Sequence, residues 1–268
     1  MSPRITFITP TYNAAATIED TIRSVDREAA KFDFEHRFID GGSTDDTVAI
    51  VRRLRGPNAL ITCEADDGVY YAMNKGLEQA RGEWVAIINA DDYYLPGALE
   101  TIMAGADESG SAGVICGDIL VQFPDRRVRM RPALGWRGRL GIRHPLLHPA
   151  MFAKRAVYER LGGYNIRYRV AADEDFFFRL LDRGETVKYV PAAVTVMRAG
   201  GLSTKLYDLT TLELLEIHRS RQGIIGGLSQ ILFYFQARLR NHVTSPHGKR
   251  YWIWALRDSI RPVNALRR

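Results

Sequence analysis

Carboxylates recur at one kind of place in this chain. Ile39 runs into Asp40, Cys63 into Glu64, Asp66 and Asp67, and Ile88 into Asn89, Asp91 and Asp92. Trp84 to Ile88 is apolar without a break, with Gly82 just ahead of it. A short apolar run between turn signals reads as a strand buried on both faces. Its two acids then surface at the strand's carboxyl end, the edge at which open α/β sheets bind ligands. Adjacent acids there repel unless a positive charge separates them from the ligand. A divalent metal carrying a phosphate would serve. Capping of the turn before Pro96 is the plainer alternative. Further on, Asp173-Glu174-Asp175 precedes the apolar stretch Phe176 to Leu181. A helix N-terminus explains one acid there better than three. Crowded acids raise at least one pKa, which suits a general base.

The elements that must position these groups alternate. Ile5 to Thr9 predicts a first buried strand. Ile18, Ile22 and Val25 predict a helix, with Thr17 and Asp20 resembling a capping box at its start. Strands are expected at His36 to Asp40 and at Leu60 to Cys63, with a helix over 69–80 leading to the strand before Asp91. This β-α-β-α-β-α-β order with short connections predicts an α/β fold with a mostly parallel, doubly wound sheet. The strands end in Asp40, in Asp66-Asp67 and in Asn89 to Asp92, and a parallel sheet gathers such ends on one edge. That suits a site that binds a polar ligand and a cation.

Several function classes are disfavoured. No glycine-rich G-x-G-x-x-G follows the first strand, and no G-x-x-x-x-G-K-[ST] occurs, against dinucleotide enzymes and P-loop ATPases. The same absence disfavours a sugar nucleotidyltransferase. Cys63 and Cys116 form no disulfide or metal-ligand spacing and are expected to be buried thiols of a reducing, cytoplasmic compartment. The N-terminus enters its first strand at once, so no signal peptide is expected. Residues 221–268 hold nine Lys/Arg and one acid, a net +8 that leaves −2 for residues 1–220 of a chain whose total is +6. A nucleic-acid enzyme would carry its basic charge beside its site.

Taken together, the motifs resemble the inverting family-2 nucleotide-sugar glycosyltransferases of GT-A fold. The pieces are T-P-T-Y-N at 9–13, I-D-G-G-S-T-D-D-T at 39–47, D-D-G-V-Y-Y-A-M-N-K-G at 66–76 and R-G-E-W-V-A-I-I-N-A-D-D at 81–92. H-P-A-M-F at 148–152, L-G-G-Y-N at 161–165 and A-D-E-D-F-F-F-R-L at 172–180 follow in the family's order. The D-G-x-Y-x-A-M-N-K-G subgroup looks most like transferases of bacterial surface-polysaccharide assembly. The resemblance implies that Thr9, Pro10 and Tyr12 line a nucleotide pocket, that Asp40 accepts from the base, and that Asp67, Gly68 and Lys75 flank nucleoside and phosphates. It implies an Asp-x-Asp metal motif whose first position is Asn89, with Ala90 between it and Asp91. Asp91 is then the main ligand for Mn²⁺ or Mg²⁺ and Asp92 a second ligand or support. Asp173 falls on the base position, with Asp175 the second choice, and Ala172 replaces the acid that usually precedes it. His148 would lie on the acceptor side. Arg198 and Ser203 would belong to a mobile loop hinged on Gly200 and Gly201, from which Arg198 or Lys205 could reach the diphosphate.

The expected organisation is a GT-A domain over 1–220, with a donor-binding half to about residue 92 and an acceptor half beyond it. A basic amphipathic tail follows over 221–268. Apolar positions 224, 228, 231, 232, 235 and 239 fall on one helical face. Tyr251-Trp252-Ile253-Trp254 behind Lys249-Arg250 suggests a segment lying on an anionic membrane surface. Arg126, Arg127, Arg129, Arg131, Arg137, Arg139 and Arg143 form either a solvated basic hairpin or a lip that attracts an anionic acceptor. The expectation is therefore an enzyme that moves a sugar from a nucleoside-diphosphate donor, a UDP-sugar by resemblance, to a hydroxyl of a glycan or lipid-linked acceptor at the inner membrane face. A homo-oligomer is left open and nucleic acid is not expected as a partner. The alternatives are a non-catalytic nucleotide-sugar-binding module, for which Asn89 and Ala172 speak, and, more weakly, a nucleotidyltransferase.

Overall fold

The computed structural model describes residues 2–132, 146–244 and 261–262. Its element order begins β1 (Ile5–Thr11), α1 (Ile18–Ala29), β2 (Phe34–Asp40), α2 (Thr47–Arg55), β3 (Leu60–Cys63), α3 (Val69–Gln79) and β4 (Trp84–Ile87). In this half β3, β2, β1 and β4 lie side by side and all run parallel. The register sets Thr11 beside Asp40 and Asp40 beside Cys63, so the strand ends do share one edge.

The second half is mixed. It contains β5 (Tyr93–Tyr94), α4 (Ala98–Ser109), β6 (Val114–Gln122), β7 (Arg127–Met130), β8 (Met151–Lys154), α5 (Arg155–Leu161), α6 (Ala172–Asp182) and β9 (Val187–Arg198). β8 joins β4 antiparallel, β6 pairs antiparallel with β8 and β7, and β9 runs parallel to β6 while its far end pairs antiparallel with β5. The β6–β7 hairpin turns at Pro124, and Phe123 N–H closes it on Arg126 O at 2.8 Å. After β9 come α7 (Leu202–Lys205), α8 (Tyr207–Thr244) and β10 (Arg261–Pro262), which adds antiparallel to β7.

Side-chain alternation along the central strands builds a core on each face of the sheet. Ile8, Val85 and Ile87 pack with Met73 of α3, Val157 of α5 and Phe176 of α6. Ile5, Phe7 and Ala86 point the other way, against Leu99 and Ile102 of α4. Phe7 is fully buried and meets Phe34, Tyr94 and Phe152 edge-on or tilted, a geometry aromatic pairs prefer. The spacing of Ile18, Ile22 and Val25 holds, since all three are fully buried. α3 lies close on β1 because Gly76 faces Ile8, where a Cβ would collide with the Ile8 side chain.

Two local expectations are corrected. Thr17 precedes α1 but makes no side-chain cap, and Asp20 reaches Arg198 instead of closing a capping box. Cys63 is exposed, because β3 forms the edge of the sheet, while Cys116 is buried and its thiol is pushed up to about 12.

The first turns of α8 pack on the domain, with Glu213, Leu214, Ile217 and His218 all buried. Gly223 then breaks the helix with φ of 65°. Beyond the break Ile224, Leu228 and Ile231 are exposed. No helix among the described residues is long and apolar enough to cross a membrane. The remaining tail positions, 232 to 239 by side chain and 249 to 260 altogether, lie outside the described residues, as do Arg137, Arg139 and Arg143. Of the other arginines in that group, Arg129 and Arg131 face the buried Asp118, Arg127 bonds Tyr93 and Gln122, and Arg126 pairs with Asp125.

Candidate active site

A cleft of about 1140 Å³ opens along the carboxyl ends of β1, β2 and β4 and is closed on the far side by the start of α6 and by α7. Its floor is set by the Asn89–Asp92 turn. Ile88 N–H still bonds Ile8 O at 3.0 Å, and the chain then folds back with Asp92 N–H on Asn89 O at 3.1 Å. Helix α1 fixes this turn through Thr21, whose hydroxyl donates to Asp92 O at 2.7 Å. Asp92 is 1% exposed. Its Oδ1 accepts from Arg198 N–H at 3.1 Å and its Oδ2 from the Asn89 amide at 3.2 Å. Burial and then the neighbouring charge of Asp91 push the Asp92 carboxyl well above the ordinary range. Burial also raises Asp91, against the pull of Arg198 and Lys205. Two carboxyls held this way are stabilised as anions by a cation. Among the described residues no group of three or more His, Cys, Asp or Glu assembles a complete metal cage. The oxygen donors present, Asp91 with Asp92 and the Asn89 carboxamide, suit a hard cation that keeps water and substrate phosphates as its other ligands.

The neighbouring strand end is organised from below. Asp40 is 1% exposed and its four acceptor directions are taken. Gly42 N–H and Ser43 N–H reach Oδ1 at 3.1 and 2.8 Å, and the Thr11 and Ser43 hydroxyls reach Oδ2 at 2.9 and 2.6 Å. It therefore shapes the loop whose Gly41 and Gly42 line the cleft, and is not itself at the surface of the cleft. Thr9 is fully buried under that floor, with its hydroxyl 2.8 Å from His36 Nε2. Pro10 and Tyr12 line the cleft, and Tyr12 is 66% exposed at its mouth. Asp67 and Gly68 line it as well, next to Asp66, whose Oδ1 accepts the Gly68 N–H at 3.0 Å. Lys75 does not: it lies farther along α3 in an ion pair with Glu64 at 2.8 Å.

The three acids at the start of α6 separate because successive helical residues point about 100° apart. Asp173 lines the cleft. Its Oδ1 accepts the Glu174 N–H at 3.0 Å and lies 3.0 Å from the Tyr70 hydroxyl. Glu174 turns inward to His218 of α8, 3.4 Å away. Asp175 is set apart from the cleft, with Arg179 at 2.8 Å and Arg221 at 3.4 Å. Tyr70 belonged to the quoted motif but its role had no local signal. The exposed Arg169, which also lines the cleft, had none either.

On the opposite wall sits His148, 8% exposed and seated edge-on against Tyr164. Burial lowers it to about 4, so the ring is neutral. Its Nε2 is buried and has no hydrogen-bond partner among the described residues. Such an atom is costly to bury unless something bonds it. Arg198, Ser203 and Lys205 close the remaining side. The Arg198 guanidinium lies over the Tyr93 ring, 5.0 Å from its centre. Gly200, with φ of 101°, supplies a left-handed turn just before α7.

A family model described as Glycosyl transferase family 2 matches residues 6–183. A PGL/p-HBAD biosynthesis glycosyltransferase of Mycobacterium bovis is 32% identical over 234 residues, which cover 83% of this chain and 88% of that one. The mannosyltransferase PcManGT of Pyrobaculum calidifontis, solved in complex with GDP-Man and Mn²⁺, superposes with a TM-score of 0.60 at 20% identity, covering 89% of this chain and 76% of that one. TarS 1-349 of S. aureus, solved with UDP-GlcNAc, gives 0.59 at 18% identity, covering 81% and 66%. In a longer TarS chain the matched part is 39% of the length. These two likenesses show the GT-A fold. The matched model and the mycobacterial relative carry the conclusion that this chain belongs to glycosyl transferase family 2.

Proposed function

We propose that the chain transfers a sugar, with inversion, from a nucleoside-diphosphate donor to a hydroxyl of a cell-surface glycan or lipid-linked acceptor. The observation that carries this reading is that the Asn89–Asp92 turn and Asp173 line one cleft. The diphosphate of a UDP-sugar would lie toward Asp91, with Arg198 and Lys205 on its other side, and the nucleoside toward Pro10, Tyr12 and Asp67. Asp173 takes the proton of the acceptor hydroxyl as its oxygen bonds to the anomeric carbon. The bond from that carbon to the diphosphate oxygen breaks, and the electron pair leaves with the nucleoside diphosphate. The neutral His148 Nε2 is the group free to bond a sugar hydroxyl. A divalent cation, Mn²⁺ or Mg²⁺, held by Asp91 with Asp92 behind it, would neutralise charge on the departing diphosphate. That PcManGT was solved with Mn²⁺ supports this part.

The place of action is proposed to be the cytoplasmic face of the cell membrane. Ile224, Leu228 and Ile231 are exposed at spacings of one helical face beyond Gly223, in a segment of strong positive charge. Each Lys or Arg near anionic lipid adds about 1 kcal/mol.

The experiment is a thermal-shift panel of UDP- and GDP-sugars with and without Mn²⁺, followed by nucleotide release from the stabilising donor by wild type and Asp173→Asn. Release should fall about 10²- to 10⁴-fold in the variant while donor binding persists. Unchanged release would reject Asp173 as the base, and a panel without any stabilising nucleotide sugar would reject the donor site.

A further inference from the structure

We propose that Glu213 of α8 and Tyr70 of α3 are positioning residues for Asp173. This inference rests on the reading of Asp173 as the base.

Helix α6 begins at Ala172, and the residue before it, Ala171, has no side chain able to cap it. The segment that leads into the helix is instead held from elsewhere in the chain. The Glu213 carboxylate is 7% exposed and accepts three successive main-chain N–H groups, Arg169 at 2.8 Å, Val170 at 2.9 Å and Ala171 at 2.9 Å. Three N–H groups converging on one carboxylate fix both the position and the orientation of the peptide planes just ahead of Asp173. Tyr70 finishes the arrangement from the other side. Its oxygen lies 2.9 Å from Val170 O and 3.0 Å from Asp173 Oδ1, and Asp173 N–H approaches it at 3.4 Å. One phenolic proton thus lies between two acceptors, one of them the carboxylate in the cleft.

Burial holds the Tyr70 phenol well above its ordinary range, so it remains a donor. Among the described residues, the ionisable groups near Asp173 and Tyr70 include Tyr164, which burial also keeps protonated, Glu213, the adjacent Glu174, and Arg169 at the cleft wall. Donation from Tyr70 favours the ionised form of Asp173, the form able to take a proton. Removing it should move the acidic limb of the rate profile to higher pH. Glu213 lies beyond the family-matched residues 6–183, which is why the motif pattern does not reveal it.

The test uses the full chain with variants Glu213→Gln, Tyr70→Phe, Asp173→Asn and the double variant Asp173→Asn/Glu213→Gln. The readout is release of UDP or GDP from the donor that stabilises wild type most. Glu213→Gln and Tyr70→Phe should each lower kcat about tenfold or more with donor KM unchanged within twofold. Tyr70→Phe should also raise the apparent pKa of the acidic limb. In the Asp173→Asn background, Glu213→Gln should cost nothing further, because its effect runs through the Asp173 carboxylate. The inference is overturned if both single variants keep kcat within twofold while Asp173→Asn loses it, or if Glu213→Gln lowers the residual rate of Asp173→Asn by the same factor as in wild type. If Glu213→Gln fails to fold, Tyr70→Phe decides, since it keeps the ring and removes only the hydroxyl. Full turnover by Asp173→Asn, or no turnover of any donor by wild type, would instead remove the reading on which the inference stands.

Discussion

Arg198 N–H donates to Asp92 Oδ1 at 3.1 Å, so the end of β9 holds the buried acid of the turn after β4. The same residue's guanidinium donates to Asp91 O at 2.6 Å and to Asp20 of α1 at 2.6 Å. Three segments far apart in sequence thereby meet at one side chain. Arg198→Ala should lower kcat/KM for the donor about 10- to 100-fold, the scale of one to two charge-assisted hydrogen bonds. Asp20→Ala, which removes only the partly exposed contact, should cost less than threefold. Steady-state kinetics of the two variants checks the order, and equal losses would move the weight from the Asp91 contact to the salt bridge.

Asp91→Asn tests the cation. Addition of UDP with Mn²⁺ should raise the Tm of wild type more than UDP alone, and this metal-dependent increment should vanish in the variant. An increment that survives Asp91→Asn would place the cation on other ligands.

Acid sensitivity follows from buried histidines. His148 titrates at about 4 in the folded chain, below the roughly 6.5 of an exposed imidazole. The unfolded chain therefore binds a proton that the folded chain refuses. The stability tied to this group is full above about pH 6.5 and falls as pH drops toward 4, by about 1.4 kcal/mol per pH unit. Burial, reinforced by Arg55, lowers His36 too, which adds a loss of the same sign. His148→Gln should flatten the decline by about one proton, read from urea unfolding at pH 7.5 and 5. An unchanged slope would show that His148 is protonated in the fold.

Packing of α3 gives a stability prediction. Gly76→Ala drives a methyl group into Ile8, at the heart of the parallel half. Overpacking of this kind costs about 1–3 kcal/mol. The urea midpoint should fall accordingly, and a neutral substitution would mean that α3 can shift outward.

Local pattern made the parallel half legible. Continuous apolar strands and the spacing of Ile18, Ile22 and Val25 are properties of a few adjacent residues, and they translate directly into β1 to β4 and α1. The shared edge of acidic strand ends followed from the same parallel order. What local pattern does not carry is the choice of partner. Asp20 had a plausible neighbour in Thr17, but Arg198 offers a charge. Lys75 faces Glu64 rather than the cleft, and Asp40 satisfies its own loop before any ligand. Asp175 found Arg179 one turn along its helix. The antiparallel entry of β8 and the placing of β9 between β6 and β5 depend on long-range pairing and had no local signal. Glu213 meets its three N–H partners from more than 40 residues away in sequence.

The position of α8 has a further consequence for where the cooperative unit ends. The family-model match ends at residue 183, yet Arg198 lies on β9 and Glu213 on α8, both past that point. A chain ending there would retain every acid of the strand edge. It would lack the residue that seats Asp92 and the one that seats the approach to Asp173. The stretch matched by the family model is thus shorter than the piece that holds the site in shape, which reaches at least into the first turns of α8.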